Sequence, residues 1–405
     1  MKNGSLVKSG IEYLHKLALE IPTRRTGSLG NQVATDFFAS ILASASFEIE
    51  TPRFECIDWR QDGARLSVDN RSFDVFVSPY SLGCDVLAEL VVVSTVEELE
   101  MIDAAGKVLL LRGEIAREQL MPKNFPFYNP EEHQRIIARL ERQAPLAIVS
   151  ATTENPEMAG AVYPFPLIED GDFNIPSVYM TEAEGRRLAM HAGGEVKLEI
   201  KAQRYPSNGC NVVARKGDPH RRVVLFAHID AKDGTPGAID NAAGAVVLLL
   251  LGELLAEYTG GLGVEIVAMN GEDYYSSPGE QFYLQLNEGR FQEIVLGVNI
   301  DGAGYVEGKT AYSLYNCPPG LDQVIRQAFR DHSALVEGEP WYQGDHGLFL
   351  LNQRPALAIT SEQVIELETS FVHTARDTPE IVDPAKLAEA GLALHKLILS
   401  LECKL

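Results

Sequence analysis

Cysteine, long apolar runs and positive charge are all scarce in this 405-residue chain, and each shortage narrows what the protein can be. The five cysteines, Cys56, Cys84, Cys210, Cys317 and Cys403, are scattered, odd in number and never in CxxC spacing. That argues against a disulfide scaffold or a thiolate metal site and predicts buried, inert thiols in a reducing cytoplasm. The longest apolar stretch, Ala242 to Leu251, is too short to span a bilayer and meets Glu253 almost at once. The opening segment MKNGSLVKSGIEYLHKLALE lacks the apolar core of a secretion signal and reads as an amphipathic helix. Lysine and arginine total 35 against 57 aspartates and glutamates, a net charge of −22. Nucleic-acid binding rests on cationic neutralisation of phosphates, so this balance argues against it. The expectation is a cytoplasmic protein with neither membrane nor nucleic acid as partner, with a homo-oligomer left open. Serine-nucleophile elbows of the GxSxG type and phosphate-binding GxxxxGK[ST] loops are missing too.

What is present divides along the chain, and the length suits two or three domains. Residues 1–55 are helical in pattern, with helices expected near Gly10–Leu19 and over Gln32–Ser44. Residues 56–204 carry short β-type runs such as RLSVD, ELVVVST, KVLLLRG, LAIVSAT and VKLEIKA, with one helix about Pro130–Gln143 and another in TEAEGRRLAMHA; they predict a mainly β module. From 205 to 405 the rhythm is strand–helix–strand: VVLFAH, GVEIVAMN, EIVLGVNI and PALAIT alternate with helices such as NAAGAVVLLLLGELLAEY and PAKLAEAGLALHKLILSL. Such alternation predicts an α/β fold whose mostly parallel, mixed sheet is flanked by helices.

Ligand-type residues gather where such a sheet places its sites, beyond the carboxyl ends of strands. His228 ends VVLFA, and Asp230 two residues on is placed to accept its second ring N–H, as the partner of a metal-bound histidine does. Asp240, in PGAIDNAAG, reads either as a helix N-cap or as a carboxylate bridging two cations. Glu272 and Asp273 are adjacent after a strand. A solvated turn is one reading; the other is one carboxylate on a metal and one free to shuttle protons, since two such neighbours repel unless a cation intervenes. Asp301 follows VLGVNI and reads as a turn residue or a ligand. His373, in VHTARDTPE, has Asp377 nearby to orient its ring. Together two histidines and three carboxylates form an oxygen-rich set with imidazole that suits paired zinc ions. Of the remaining histidines only His346, in GDHGLF, invites a functional reading beside plain packing. Tyr274, Tyr275, Tyr305, Trp341, Tyr342 and Phe349 fit either an apolar substrate pocket or the core.

AHID, GAIDNAAG, NGED, NIDGAG, GDHGLF and VHTARDT, in this order, resemble the motifs of the co-catalytic zinc aminopeptidases of metallopeptidase family 28. RRTGSLGNQVATDFF resembles that family's N-terminal segment, and GKVLLLRG with LAIVSAT and NIPSVYMTEAEGRRL resembles its inserted protease-associated domain. The resemblance implies a zinc exopeptidase fold, discontinuous over residues 1–55 and 205–405, with a protease-associated insertion at 56–204. It implies two zinc ions, one on His228 and Asp301, the other on Asp273 and His373, with Asp240 bridging and Glu272 as general base. It also implies a cis peptide after Asp240 and a peptide substrate with a free amino terminus; of the residues open to either reading, His346, Tyr305 and Phe349 are expected to meet that substrate. At position 273 this chain has aspartate where glutamate is frequent. Rival readings are a single-zinc acyltransferase of the glutaminyl cyclase type, a carboxypeptidase for acidic C-termini, and a non-catalytic protein keeping the fold. The second would need arginines beside the metal motifs, and Arg290, Arg326, Arg330 and Arg354 are not adjacent to any.

Overall fold

A computed structural model describes residues 3–21, 23–154, 162–341 and 344–404. They fall into two compact units, Met1–Cys56 with Asn208–Leu405, and Ile57–Ser207.

The first unit opens with α1 (Asn3–His15), which continues as a wider turn over Lys16–Glu20, and α2 (Leu29–Ser44). The first helix thus begins earlier than its apolar stripe suggested. α2 starts where the Ser28 hydroxyl accepts the Asn31 N–H at 3.1 Å, and it buries Ala34, Phe38 and Leu42 along one stripe. The sheet contains β1 (Glu48–Glu50), β2 (Val212–Lys216), β3 (Asp218–His228), β4 (Leu262–Met269), β5 (Ile294–Ile300), β6 (Thr310–Tyr315), β7 (Leu335–Glu337) and β8 (Ala356–Ser361). Their spatial order is β1-β2-β4-β3-β5-β8-β6-β7. The four central strands, β4, β3, β5 and β8, run parallel, while β1, β2 and β6 pair antiparallel. Strands buried on both faces read as unbroken apolar runs, which is why VVLFA, VEIVAM and IVLGVNI were legible. β6, TAYSLY, lacks such a run.

α3 (Ala243–Leu254) explains the longest apolar stretch: every residue from Ala243 to Gly252 is buried, so it is a core helix. Against the sheet's other face, Gly297 in β5 lets the Phe349 ring lie where a Cβ would stand 2.1 Å from it. The remaining helices are α4 (Pro278–Leu286), α5 (Pro319–Phe329), α6 (Gly347–Leu351), α7 (Val364–Ser370) and α8 (Pro384–Lys404). Among the described residues no helix is long and apolar enough to cross a membrane.

The second unit is less purely β than its texture predicted. Strands Cys84–Val93, Val108–Arg112, Ala147–Thr152 and Ser177–Thr181 run parallel to one another, and helix Glu131–Gln143 crosses between the middle two. A parallel neighbour demands a crossover, and the chain supplies it with a helix. The five cysteines are free. Four are only half-buried and Cys403 is exposed, so the expectation of buried thiols is corrected.

Candidate metal centre

Three adjacent parallel strands deliver ligand-type side chains at the same sheet edge. His228 is the last residue of β3 and pairs with Met269, the last of β4. After Met269 the chain turns through Gly271, at φ +98° and tight against the Pro278 ring, and presents Glu272 and Asp273. Asp301 follows β5 and donates its N–H to the Ile359 carbonyl of β8 at 2.8 Å; Gly302 behind it adopts φ +75°. Asp240 comes from the loop before α3, and His373, at φ 61°, from the loop after α7.

All of these six residues except Glu272 meet in two groups. His228 Nε2 lies 2.9 Å from Asp240 Oδ1 and 3.7 Å from Asp301 Oδ1. His373 Nε2 lies 3.2 Å from Asp240 Oδ2 and 2.9 Å from Asp273 Oδ1. One carboxylate therefore places one oxygen in each group. A tetrahedral zinc with bonds of about 2.0–2.1 Å spaces its ligand atoms about 3.3 Å apart, and the observed contacts bracket that value. Both His228 nitrogens and Asp273 Oδ2 are buried without an aligned hydrogen bond. Buried polar atoms normally have partners, so donors that converge yet do not pair are what an absent cation would leave. The residues fit two metal ions. Glu272 shares a third grouping with His228 and Asp273.

The surroundings position these groups through the backbone. Asp377 accepts the N–H groups of Ile239 at 2.6 Å and Asp240 at 3.1 Å, so it holds the bridging segment and not the His373 ring foreseen for it. Asp230 Oδ1 stays 3.7 Å from His228 Nδ1, beyond a hydrogen bond, while its Oδ2 accepts the Thr26 hydroxyl at 2.9 Å. The Asp240–Asn241 peptide is cis. Asn241, not Asp240, caps α3, accepting the Gly244 N–H at 3.0 Å and donating to the Ile300 carbonyl at 2.8 Å. Sequence reasoning gave no site role to Arg24. It is buried and donates to the carbonyls of Leu17, Ile229, Pro236 and Gly237 at 2.7–2.9 Å, fixing both ends of the loop that leads to Asp240. The only available signal was the segment TRRTGSLGN. Thr26 and Asn31 from it also bond Asn270, two residues before Glu272.

Charge is dense here. Burial opposes protonation of His228, but the carboxylates of Asp230, Asp240 and Asp301 outweigh it and hold its pKa well above the usual range. Burial likewise opposes His373, yet Asp273 and Asp240 keep its pKa at about 10. In Glu272 burial dominates and neighbouring carboxylates add to it, so its pKa stands well above that of an ordinary glutamate.

The substrate-facing residues divide differently from expectation. Phe349 is 0% exposed and stacks on Phe226 at 5.0 Å, so it belongs to the core and cannot line a pocket. His346 is also 0% exposed, its ring 4.6 Å from that of Tyr315 and 5.5 Å from that of Trp341, and both of its ring nitrogens are buried without an aligned hydrogen bond. Tyr305 is buried with its ring 5.9 Å from Phe371, and its hydroxyl donates to Glu366 at 3.2 Å. The Tyr274 and Tyr275 rings lie 4.5 Å apart, tilted by 37°. Tyr342 lies outside the described residues.

Residues 211–398 match the sequence profile described as Peptidase family M28. A leucine aminopeptidase 2 from Trichophyton equinum is 25% identical over 244 residues, 55% of this chain and 46% of that protein. The chain thus spans about half the length of such curated relatives. A probable leucine aminopeptidase 2 from Aspergillus fumigatus is 25% identical over 385 residues, 89% of this chain and 73% of that one. Among solved structures, a zinc aminopeptidase from Bacillus subtilis superposes with a TM-score of 0.74 at 19% identity, covering 97% of this chain and 94% of that one. At that identity the likeness shows a shared fold.

Proposed function

We propose that this chain, whose residues 211–398 match peptidase family M28, is a zinc-dependent exopeptidase, an aminopeptidase that hydrolyses the peptide bond after a free amino terminus. One observation carries the reading: the Asp240 carboxylate gives one oxygen to a His228–Asp301 group and the other to an Asp273–His373 group. His228 and Asp301 would hold one zinc, Asp273 and His373 a second, and Asp240 both. When bound, zinc supplies Lewis acidity, polarising a carbonyl and lowering the pKa of a water toward about 7.

The chain's own residues do the rest. Glu272, beside the donors but outside the two groups, accepts a proton from the attacking water as the oxygen bonds to the scissile carbonyl carbon. It then passes that proton to the departing nitrogen as the C–N bond breaks, leaving a free amino acid and a shortened peptide. Its raised pKa makes it a stronger proton acceptor than an ordinary glutamate. Asp377 and Arg24 keep the Asp240 segment in place from behind. A second complete donor group supports a two-zinc peptidase over a single-zinc acyltransferase. Residues 57–207 fit the protease-associated insertion, with KVLLLRG and LAIVSAT on neighbouring parallel strands.

The test is release of 4-nitroaniline from aminoacyl-4-nitroanilides, before and after chelation and zinc repletion. Chelator-sensitive release, restored by zinc, is expected. Release that survives complete metal removal, or cyclisation of an N-terminal glutamine peptide in its place, would overturn the proposal.

A further inference from the structure

The β2–β4 ladder stops where Val212 pairs with Ala268. Beyond that step a side chain takes over from the backbone. Asn211, just ahead of β2, accepts the Asn270 N–H through Oδ1 at 3.0 Å and donates from Nδ2 to the Gly279 carbonyl at 2.8 Å. Its amide thus spans the two ends of the loop NGEDYYSSPG, residues 270–279, which carries both Glu272 and Asp273. The ends meet so closely that only glycine serves: a Cβ on Gly279 would stand 1.9 Å from the Asn270 carbonyl oxygen and 2.5 Å from Asn211 Oδ1. The Asn270 side chain is anchored in turn. Its Oδ1 accepts from Asn31 at 2.8 Å, and its Nδ2 donates to Asn31 at 2.8 Å and to the Cys210 carbonyl at 3.1 Å. Asn31, Asn211 and Asn270 are all buried.

This neck matters for what it aims. Asp273 has a second anchor, since its Oδ1 lies 2.9 Å from His373 Nε2 within a metal group. Glu272 lies outside both groups, with a carboxylate oxygen within 4.8 Å of donor atoms of His228 and Asp273. A general base must stay off the metal yet within reach of the water it deprotonates. Its aim is then set by the backbone that carries it, and only Gly271 separates Glu272 from Asn270. A misplacement of about 1 Å costs on the order of 10²-fold in rate.

We propose that Asn211 is a positioning residue for Glu272: its amide closes the 270–279 loop and thereby fixes the aim of the base. This rests on the aminopeptidase reading with Glu272 as base, and the test separates the two. Wild type, Asn211→Ala, Glu272→Gln and the double variant would be assayed zinc-loaded on leucyl-4-nitroanilide, with zinc content measured on each preparation. Asn211→Ala should lower kcat by about 10- to 100-fold with KM nearly unchanged. Once the base is gone its aim no longer matters. In the Glu272→Gln background the same change should therefore cost about 2-fold or less. A general structural role would cost the same factor in both backgrounds, and that outcome overturns the proposal; so does a kcat that Asn211→Ala leaves intact. Zinc lost from Asn211→Ala would put the neck in the service of Asp273, against the assignment. An undiminished rate in Glu272→Gln alone has a different signature, and removes the base reading and this proposal together.

Asn211→Asp, nearly isosteric, keeps the acceptor for the Asn270 N–H and loses the donor to Gly279. It carries the same cycle if alanine prevents folding, with the same coupled loss expected. Hydrogen exchange supplies a readout that needs no turnover. Either variant should lose protection over residues 270–279 while β3 and β5 exchange as slowly as in the wild type. A loop that keeps its wild-type protection, or loosening that spreads through the sheet, would refute the clamp.

Discussion

The Asp377 carboxylate grips Asp240 from behind, accepting the Asp240 N–H at 3.1 Å and the preceding Ile239 N–H at 2.6 Å. A fully buried acid thus acts on the bridging residue through the backbone. Removing it leaves two buried N–H groups unsatisfied at the point where both metal groups join. Asp377→Ala should therefore cost about 2–4 kcal/mol of stability and weaken zinc retention. Thermal unfolding of the metal-free protein, paired with zinc content after dialysis, checks both. A variant of native stability holding full zinc would refute this role.

Arg24 does for the preceding loop what Asp377 does for its end. Its guanidinium serves carbonyls of Leu17, Ile229, Pro236 and Gly237, a pattern that depends on a planar, multiply donating group. Arg24→Met should destabilise the protein by at least about 3 kcal/mol, since several buried carbonyls lose their donor. Arg24→Lys should recover only a small part, because an ammonium cannot reach four diverging acceptors. Denaturant midpoints for the two variants measure this. Full rescue by lysine would show that charge alone matters.

Glu280 and Asp345 are neighbouring buried carboxyls, 5% and 6% exposed. Burial is the main reason that the Glu280 pKa rises to about 7, with the Glu272 charge adding to it. A carboxyl whose folded pKa is raised holds its proton in the fold after the unfolded chain has released it. Stability is therefore lost as pH climbs from about 4.5, the ordinary glutamate value, through about 7, by an amount on the order of 3 kcal/mol. Glu280→Gln should remove that slope, so its advantage over the wild type grows across this interval and then levels off. Unfolding free energies at several pH values between 4 and 8 test it. Parallel pH curves for the two proteins would contradict it.

Much of the first unit was legible because its strands are buried on both faces and end in polar residues. His228, Glu272, Asp273 and Asp301 announced themselves by standing where an apolar run stops, and the structure brings them together. What stayed hidden depends on the third dimension. Asp377 lies four residues from His373 in sequence, which suggested a ring partner, but its turn aims it at the Ile239 and Asp240 amides. Phe349 looked like a pocket residue until Gly297 was seen to admit its ring into the core. Arg24 is more than 200 residues from the loop it holds, and nothing in local pattern signals a bond across that distance. The parallel strands of the second unit were obscured because short apolar runs with turns between them look alike in either direction.

The most direct test of the account is the zinc content and the peptidase rate of Glu272→Gln measured on the same preparation. Glutamine keeps the shape of the side chain but cannot accept the proton, and it is not one of the residues assigned to hold either zinc. The account predicts two zinc ions per chain and a rate lowered by about 10²- to 10⁴-fold relative to wild type. Two zinc ions with an undiminished rate would contradict the role of Glu272, and a single zinc would contradict the division of donors about Asp240.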